Sequence, residues 1–150
     1  MRHIYRRLAA TTLAVVWGMA ISQPSVGRDS ATVAKEATNE VAIELAECAA
    51  YYTIAAAAID VSLAPEPERE LRVAQTKQAA VAALRASEQL TSTRVAAAQM
   101  DLAWETMIRQ MERKWENFSI VAEKYMWSCK DRIAAEPQAQ LVLPSLIVAR

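Results

Sequence analysis

From residue 28 to its last residue the chain contains no glycine; both glycines, Gly18 and Gly27, lie near the start. That gap excludes more architectures than any motif selects. Phosphate-cradling loops and dinucleotide fingerprints need backbone that reaches a ligand without a Cβ in the way. Tight two-residue hairpins favour Asn-Gly or Asp-Gly. Without either, β-rich and α/β folds are disfavoured and an all-α fold is expected. Of the 150 residues, 53% are apolar, and much of that share is alanine, which favours helix while adding little packing volume. One domain with a thin, elongated core follows.

Residues 1–22 have the three parts of a secretory signal: basic Arg2, Arg6 and Arg7, an apolar run from Leu8 to Ile21, and small residues at its end. Ala20-Ile21-Ser22 places cleavage after Ser22, or alternatively after Ala20. An uncleaved anchor is the competing reading, but the run is short of the roughly 20 residues a span needs. Arg6-Arg7 lacks the rest of a twin-arginine pattern, and no cysteine follows for a lipid anchor. The expected address is therefore outside the cytoplasm, periplasmic or secreted, with no stable membrane span after cleavage. Cleavage removes three of 17 basic residues and none of 17 acidic ones, leaving 14 against 17, a charge of −3. A mildly acidic chain without a basic stripe is a poor binder of nucleic acid. It also removes His3, the only histidine. Imidazole acid–base catalysis, Ser-His-Asp and Cys-His sites, and His-ligated haem or di-metal centres then lack their key residue. No cofactor or metal is expected.

Residues 23–30 read as a flexible lead-in, and a helical domain is expected over 31–136. A first helix starts near Ser30 or Thr32, with an apolar stripe of Val41, Leu45, Cys48, Tyr52, Ala55 and Ile59 at alternating spacings of four and three. Glu36, Glu40, Glu44 and Glu47 run beside it and read as a solvated acidic face rather than a metal site, since no other ligand type accompanies them. Pro65-Glu66-Pro67 divides this helix from a second one rich in alanine, whose larger apolar residues are Leu71, Val73, Val81 and Leu84. Residues 87–93 collect hydroxyl groups that interrupt a helix and cap the next. Beyond them Trp104, Ile108, Met111, Trp115, Phe118, Ala122, Tyr125 and Cys129 repeat the four-three spacing without a gap. One unbroken helix to about Ala135 explains this; Asn117 or Ser119 could instead cap a fourth helix. After Pro137, residues 137–150 form an apolar tail that is expected to be extended.

The chain has two cysteines, one in each stripe, and in an exported protein these read as one disulfide, Cys48–Cys129. In antiparallel helices the midpoint of such a pair marks the turn, and here it falls between residues 88 and 89, inside the hydroxyl-rich segment. Helix 1 is thereby expected opposite residues 115–135 and helix 2 opposite 92–111, with Glu47 level with Lys130. Two shapes fit: a helical hairpin folded into a four-helix bundle, or a jointed two-helix arm against one long helix. The bundle buries more surface per residue.

No catalytic constellation is present, so the expected role is non-enzymatic: a protein-interaction module of the cell envelope, such as an adaptor, inhibitor or assembly factor. Tyr51 and Trp127 fall beside the main stripes and form the candidate interaction patch, unless they belong to a second core face. A second reading is a small-molecule or lipid-binding bundle with Trp104, Met107, Met111, Trp115, Phe118 and Tyr125 around an apolar pocket. A third is an enzyme pairing Glu44 or Glu47 with Tyr52 or Tyr125. The expected partner is a protein, and self-association is compatible with the sequence.

Overall fold

The computed structural model describes residues 29–62 and 65–136. The signal sequence expected over 1–22, most of the lead-in and the 137–150 tail lie outside these residues. Within them the elements are helices: α1 (Ser30–Asp60), α2 (Glu66–Leu90), α3 (Thr93–Gln110), a 3₁₀ turn (Trp115–Asn117) and α4 (Phe118–Ala135). No strand occurs among the described residues. The fold is an all-α four-helix bundle, and the long unbroken last helix is not formed.

Local chemistry explains most boundaries. The first cap is Asp29, whose carboxylate accepts from the Ala31 amide at 3.4 Å, rather than Ser30 or Thr32. Pro65 caps α2, Pro67 sits in its first turn, and Glu66 and Glu68 face the positive end of its dipole. Ser92 caps α3 by accepting from the Val95 amide at 3.3 Å. α1 is long and apolar enough to cross a membrane by length and composition, but more than half of that stretch is buried inside the fold, as for a core helix.

The core is organised around α1, which packs against the other three helices and most extensively against α2. The expected contacts of α1 with α4 and of α2 with α3 are formed, and α1 packs in addition on α2 and α3. Alanine dominates what these two helices bury: Ala42, Ala46, Ala49, Ala50, Ala55 and Ala56 on α1, and Ala79, Ala80, Ala82, Ala83 and Ala86 on α2. Small side chains on both surfaces let two helices approach closely. Ser87, fully buried, donates its hydroxyl to the Ala42 carbonyl at 2.8 Å and ties the end of α2 to α1. The larger residues of α2 do less than their size suggests. Val73 is buried, whereas Leu71 and Val81 face solvent.

The bulky core lies where α1 meets α3 and α4: Tyr51, Ile54, Met107, Met111, Val121, Tyr125 and Ile133, with Cys48 and Cys129. On α4 the buried positions are Val121, Tyr125, Cys129 and Ile133, a ridge of four-residue steps. Cys48 and Cys129 are joined, with Cα atoms 5.2 Å apart. Closing a loop of 81 residues stabilises the fold by about 4 to 5 kcal/mol at most through the unfolded chain.

The bend between α3 and α4 comes earlier than Asn117 and works differently. At the end of α3 the Arg113 amide donates to the Ile108 carbonyl and the Glu112 amide to Arg109, both at 3.0 Å. This is a Schellman ending, which places the residue after the cap in the left-handed region and favours glycine there. Here Glu112 takes it at φ 52° and Arg113 follows at φ 59°. Asn117 holds the N-cap position of α4, one of the two expected, but without a side-chain capping bond; its side-chain amide nitrogen donates back to the Met111 carbonyl at 3.1 Å and closes the elbow.

Candidate functional site

α4 presents the most distinctive surface. Residues two apart on a helix lie about 200° apart around its axis, so Trp127 points away from both Tyr125 and Cys129. Trp127 is 61% exposed, and Ile120, two turns earlier on the same side, is 50% exposed. Met126 flanks them, and the Lys130 ammonium lies 5.3 Å from the centre of the Trp127 ring. A tryptophan that is largely exposed on a helix cross-linked to the core is a rigid apolar anchor with a cation beside it.

Tyr51 does not belong to this surface. It is 4% exposed, with ring centres of Tyr52, Phe118 and Tyr125 at 5.0, 6.5 and 6.4 Å. Burial pushes its hydroxyl pKa up, and it pushes that of Tyr52 up to about 12, with the Tyr51 charge adding to the effect. The expected pairing of Tyr51 with Trp127 in one exposed patch is therefore corrected: the sequence stripe placed Tyr52 inward, whereas α1 is buried nearly all round between Leu45 and Ala56 and takes Tyr51 into the core.

The six residues considered for one apolar pocket are also dispersed. Met107 and Met111 are solid core, and Tyr125 packs on Tyr51. Trp115 is exposed at the elbow. Trp104 forms one wall of a groove of about 510 Å³ with Thr53, Ala56, Ala57, Asp60, Lys77, Ala80 and Val81. Phe118 lines a separate hollow of about 170 Å³ beside Ile59 and Arg72. The Trp104 groove escaped the sequence reading because alanines make it: small residues leave space that a pattern of large apolar residues does not reveal.

Beside the disulfide is a polar cleft of about 280 Å³ lined by Glu44, Glu47, Lys124, Tyr125, Ser128 and Arg132 with the two cysteines. Glu44 pairs with Arg132, and Lys124 lies 4.8 Å from the centre of the Tyr125 ring. Burial holds the Glu47 carboxyl above its ordinary range; Lys124 opposes this and Glu44 reinforces it. Glu44 and Glu47 are thus half-buried beside α4 rather than part of a solvated face, and the cation that acts on Glu47 is Lys124. Among the described residues no group of three His, Cys, Asp or Glu side chains could hold a metal ion. A disulfide in the core fits an oxidising compartment. No protein-family model matches the chain, and comparison with curated proteins and with solved structures gives no match.

Proposed function

We propose that this protein is an exported, non-enzymatic interaction module of the cell envelope, which engages a protein partner through the outer face of α4. The observation that carries the reading is Trp127, an exposed aromatic with Lys130 against its ring, on the side of α4 opposite the disulfide. Tryptophan anchors dominate protein interfaces because a large rigid ring buries much surface and loses little rotational freedom. The cross-link supports this, since the ridge beneath Trp127 is fixed to α1.

A photo-crosslinking residue at position 127, compared with one at the equally exposed Leu102 on α3, tests the reading in the native compartment. A single discrete adduct from position 127, absent from position 102, is expected. Trp127→Ala should weaken binding of the partner so identified by at least about fivefold. Identical adducts from both positions, or an unchanged affinity, refute the proposal. A second reading, a receptor for a small apolar molecule, rests on the Trp104 groove, whose size falls within the about 300 to 1,000 Å³ of ligand sites. Native mass spectrometry of the purified protein tests it by a ligand that is lost in Trp104→Ala.

A further inference from the structure

The α3–α4 elbow is at odds with its own sequence. The four-three apolar spacing runs through it without interruption from Trp104 to Cys129, so the periodicity is that of a continuous helix. The residues that make the bend, Glu112, Arg113 and Lys114, are good helix formers. Two of them nevertheless hold left-handed backbone, at φ 52° and 59°, a region that opposes any residue with a Cβ. The side-chain carbonyl of Gln110, the last residue of α3, is shut off from solvent and accepts no hydrogen bond among the described residues. Short hinges under such strain favour exchange of the element they carry.

What α4 leaves behind if the elbow straightens defines the partner. α4 packs chiefly on α1, touching α3 little. The ridge Val121, Tyr125, Cys129 and Ile133 is apolar and would be exposed on a straight helix, as would its seat on α1 around Tyr51 and Cys48. A second copy of the same chain supplies that seat with every contact reproduced. The charges match as well, since Glu44 of each copy would meet Arg132 of the other, as they meet within one chain.

We propose that the elbow is an exchange hinge: while Cys48 and Cys129 are still thiols, α3 and α4 join into one straight helix and α4 docks on α1 of a second copy, giving a two-fold dimer. Oxidation then fixes whichever arrangement is present. In the monomer one bond forms within the chain. In the dimer two bonds form between chains, each joining Cys48 of one to Cys129 of the other. Each bond releases two electrons and two protons to a disulfide oxidant, which becomes two thiols. The intramolecular bond is thus a lock against exchange, and the monomer–dimer choice is made before it closes. This inference is independent of the Trp127 surface, which lies on the opposite side of α4.

The test reduces the full chain with a dithiol, removes the dithiol, and reoxidises with oxidised glutathione over a range of protein concentrations. Equal amounts of chains with natural and ¹⁵N isotope content are mixed before reoxidation. A covalent dimer whose share rises with concentration is expected, with a helical circular dichroism spectrum like that of the monomer. Its Cys48–Cys129 peptide pairs should carry mixed isotopes. The double variant Glu112→Gly, Arg113→Gly, which eases the bend and weakens a straight helix, should give a dimer share about tenfold lower. Reoxidation to monomer alone at every concentration overturns the proposal. So does an unchanged dimer share in the glycine variant, or a dimer bridged by Cys48–Cys48 or Cys129–Cys129.

Discussion

Replacing Tyr51 by alanine tests the reading of α1 as the centre of the core. The ring is 4% exposed and touches three other aromatic rings, on its own helix, at the start of α4 and in the α4 ridge. Truncating a buried aromatic to alanine costs about 3 to 5 kcal/mol, from lost transfer free energy and the cavity left behind. The upper half of that range applies here, because aromatic pairs add about 0.5 to 1.5 kcal/mol beyond area and the neighbouring helices are held apart by their own side chains. In a domain of this size each kcal/mol lowers Tm by about 4 to 8 °C, so Tyr51→Ala should melt at least about 16 °C below the parent. Trp127→Ala, taken from an outward position, should stay within about 0.5 kcal/mol of the parent. Urea unfolding followed by circular dichroism reads both, with the disulfide intact throughout. If Tyr51→Ala loses less than about 1 kcal/mol, or Trp127→Ala loses more than about 2 kcal/mol, the inner and outer faces have been assigned wrongly.

Three further outcomes are expected. Ser87→Ala should lose about 0.5 to 1.5 kcal/mol, the net worth of one hydrogen bond, whereas Ser87→Val, which adds volume to the alanine seam, should lose more; thermal melts that rank them the other way count against close packing at Ala42. The fold holds the Tyr52 proton more tightly than the unfolded chain does, with its pKa pushed from 10.0 up to about 12. That stabilisation is complete below pH 10 and is lost as pH rises toward 12, so Tyr52→Phe should flatten the fall of Tm across this window. Glu47 is likewise raised, from 4.5, so its contribution is favourable at low pH and is lost as pH rises past its folded pKa; Glu47→Gln should gain stability over the parent near pH 7 and show no gain near pH 4.

The all-helical class, the Pro65 joint, the turn near residue 90 and the disulfide were legible because each has a local chemical marker. Proline stops a helix, hydroxyls cap one, and a cysteine in each stripe fixes a level. The start of α4 after Asn117 was legible as one of two alternatives, but the end of α3 at Gln110 was not. The elbow's left-handed positions hold Glu112 and Arg113, where a glycine or asparagine would have announced the bend, and the apolar spacing runs on through it. The inward turn of Tyr51 was hidden for a related reason. A helix buried on several sides has no single stripe, and α1 carries alanine on the faces that a pattern of large residues leaves blank. Trp127 was readable as a residue off the stripe; that it is largely exposed followed only once the ridge of Val121, Tyr125, Cys129 and Ile133 was known.

The alanine seam between α1 and α2 has a consequence for how this gene can vary. A single base change in an alanine codon yields valine, threonine, serine, proline, aspartate, glutamate or glycine. All but glycine add atoms where the two helices touch, and glycine in mid-helix costs about 1 kcal/mol. Serine adds the least, and position 87, buried on the same seam with its hydroxyl satisfied by Ala42, shows how such a step can be absorbed. Neutral drift should therefore collect on the outward sides of α2 and α3, while the seam changes only between alanine, serine and, rarely, glycine.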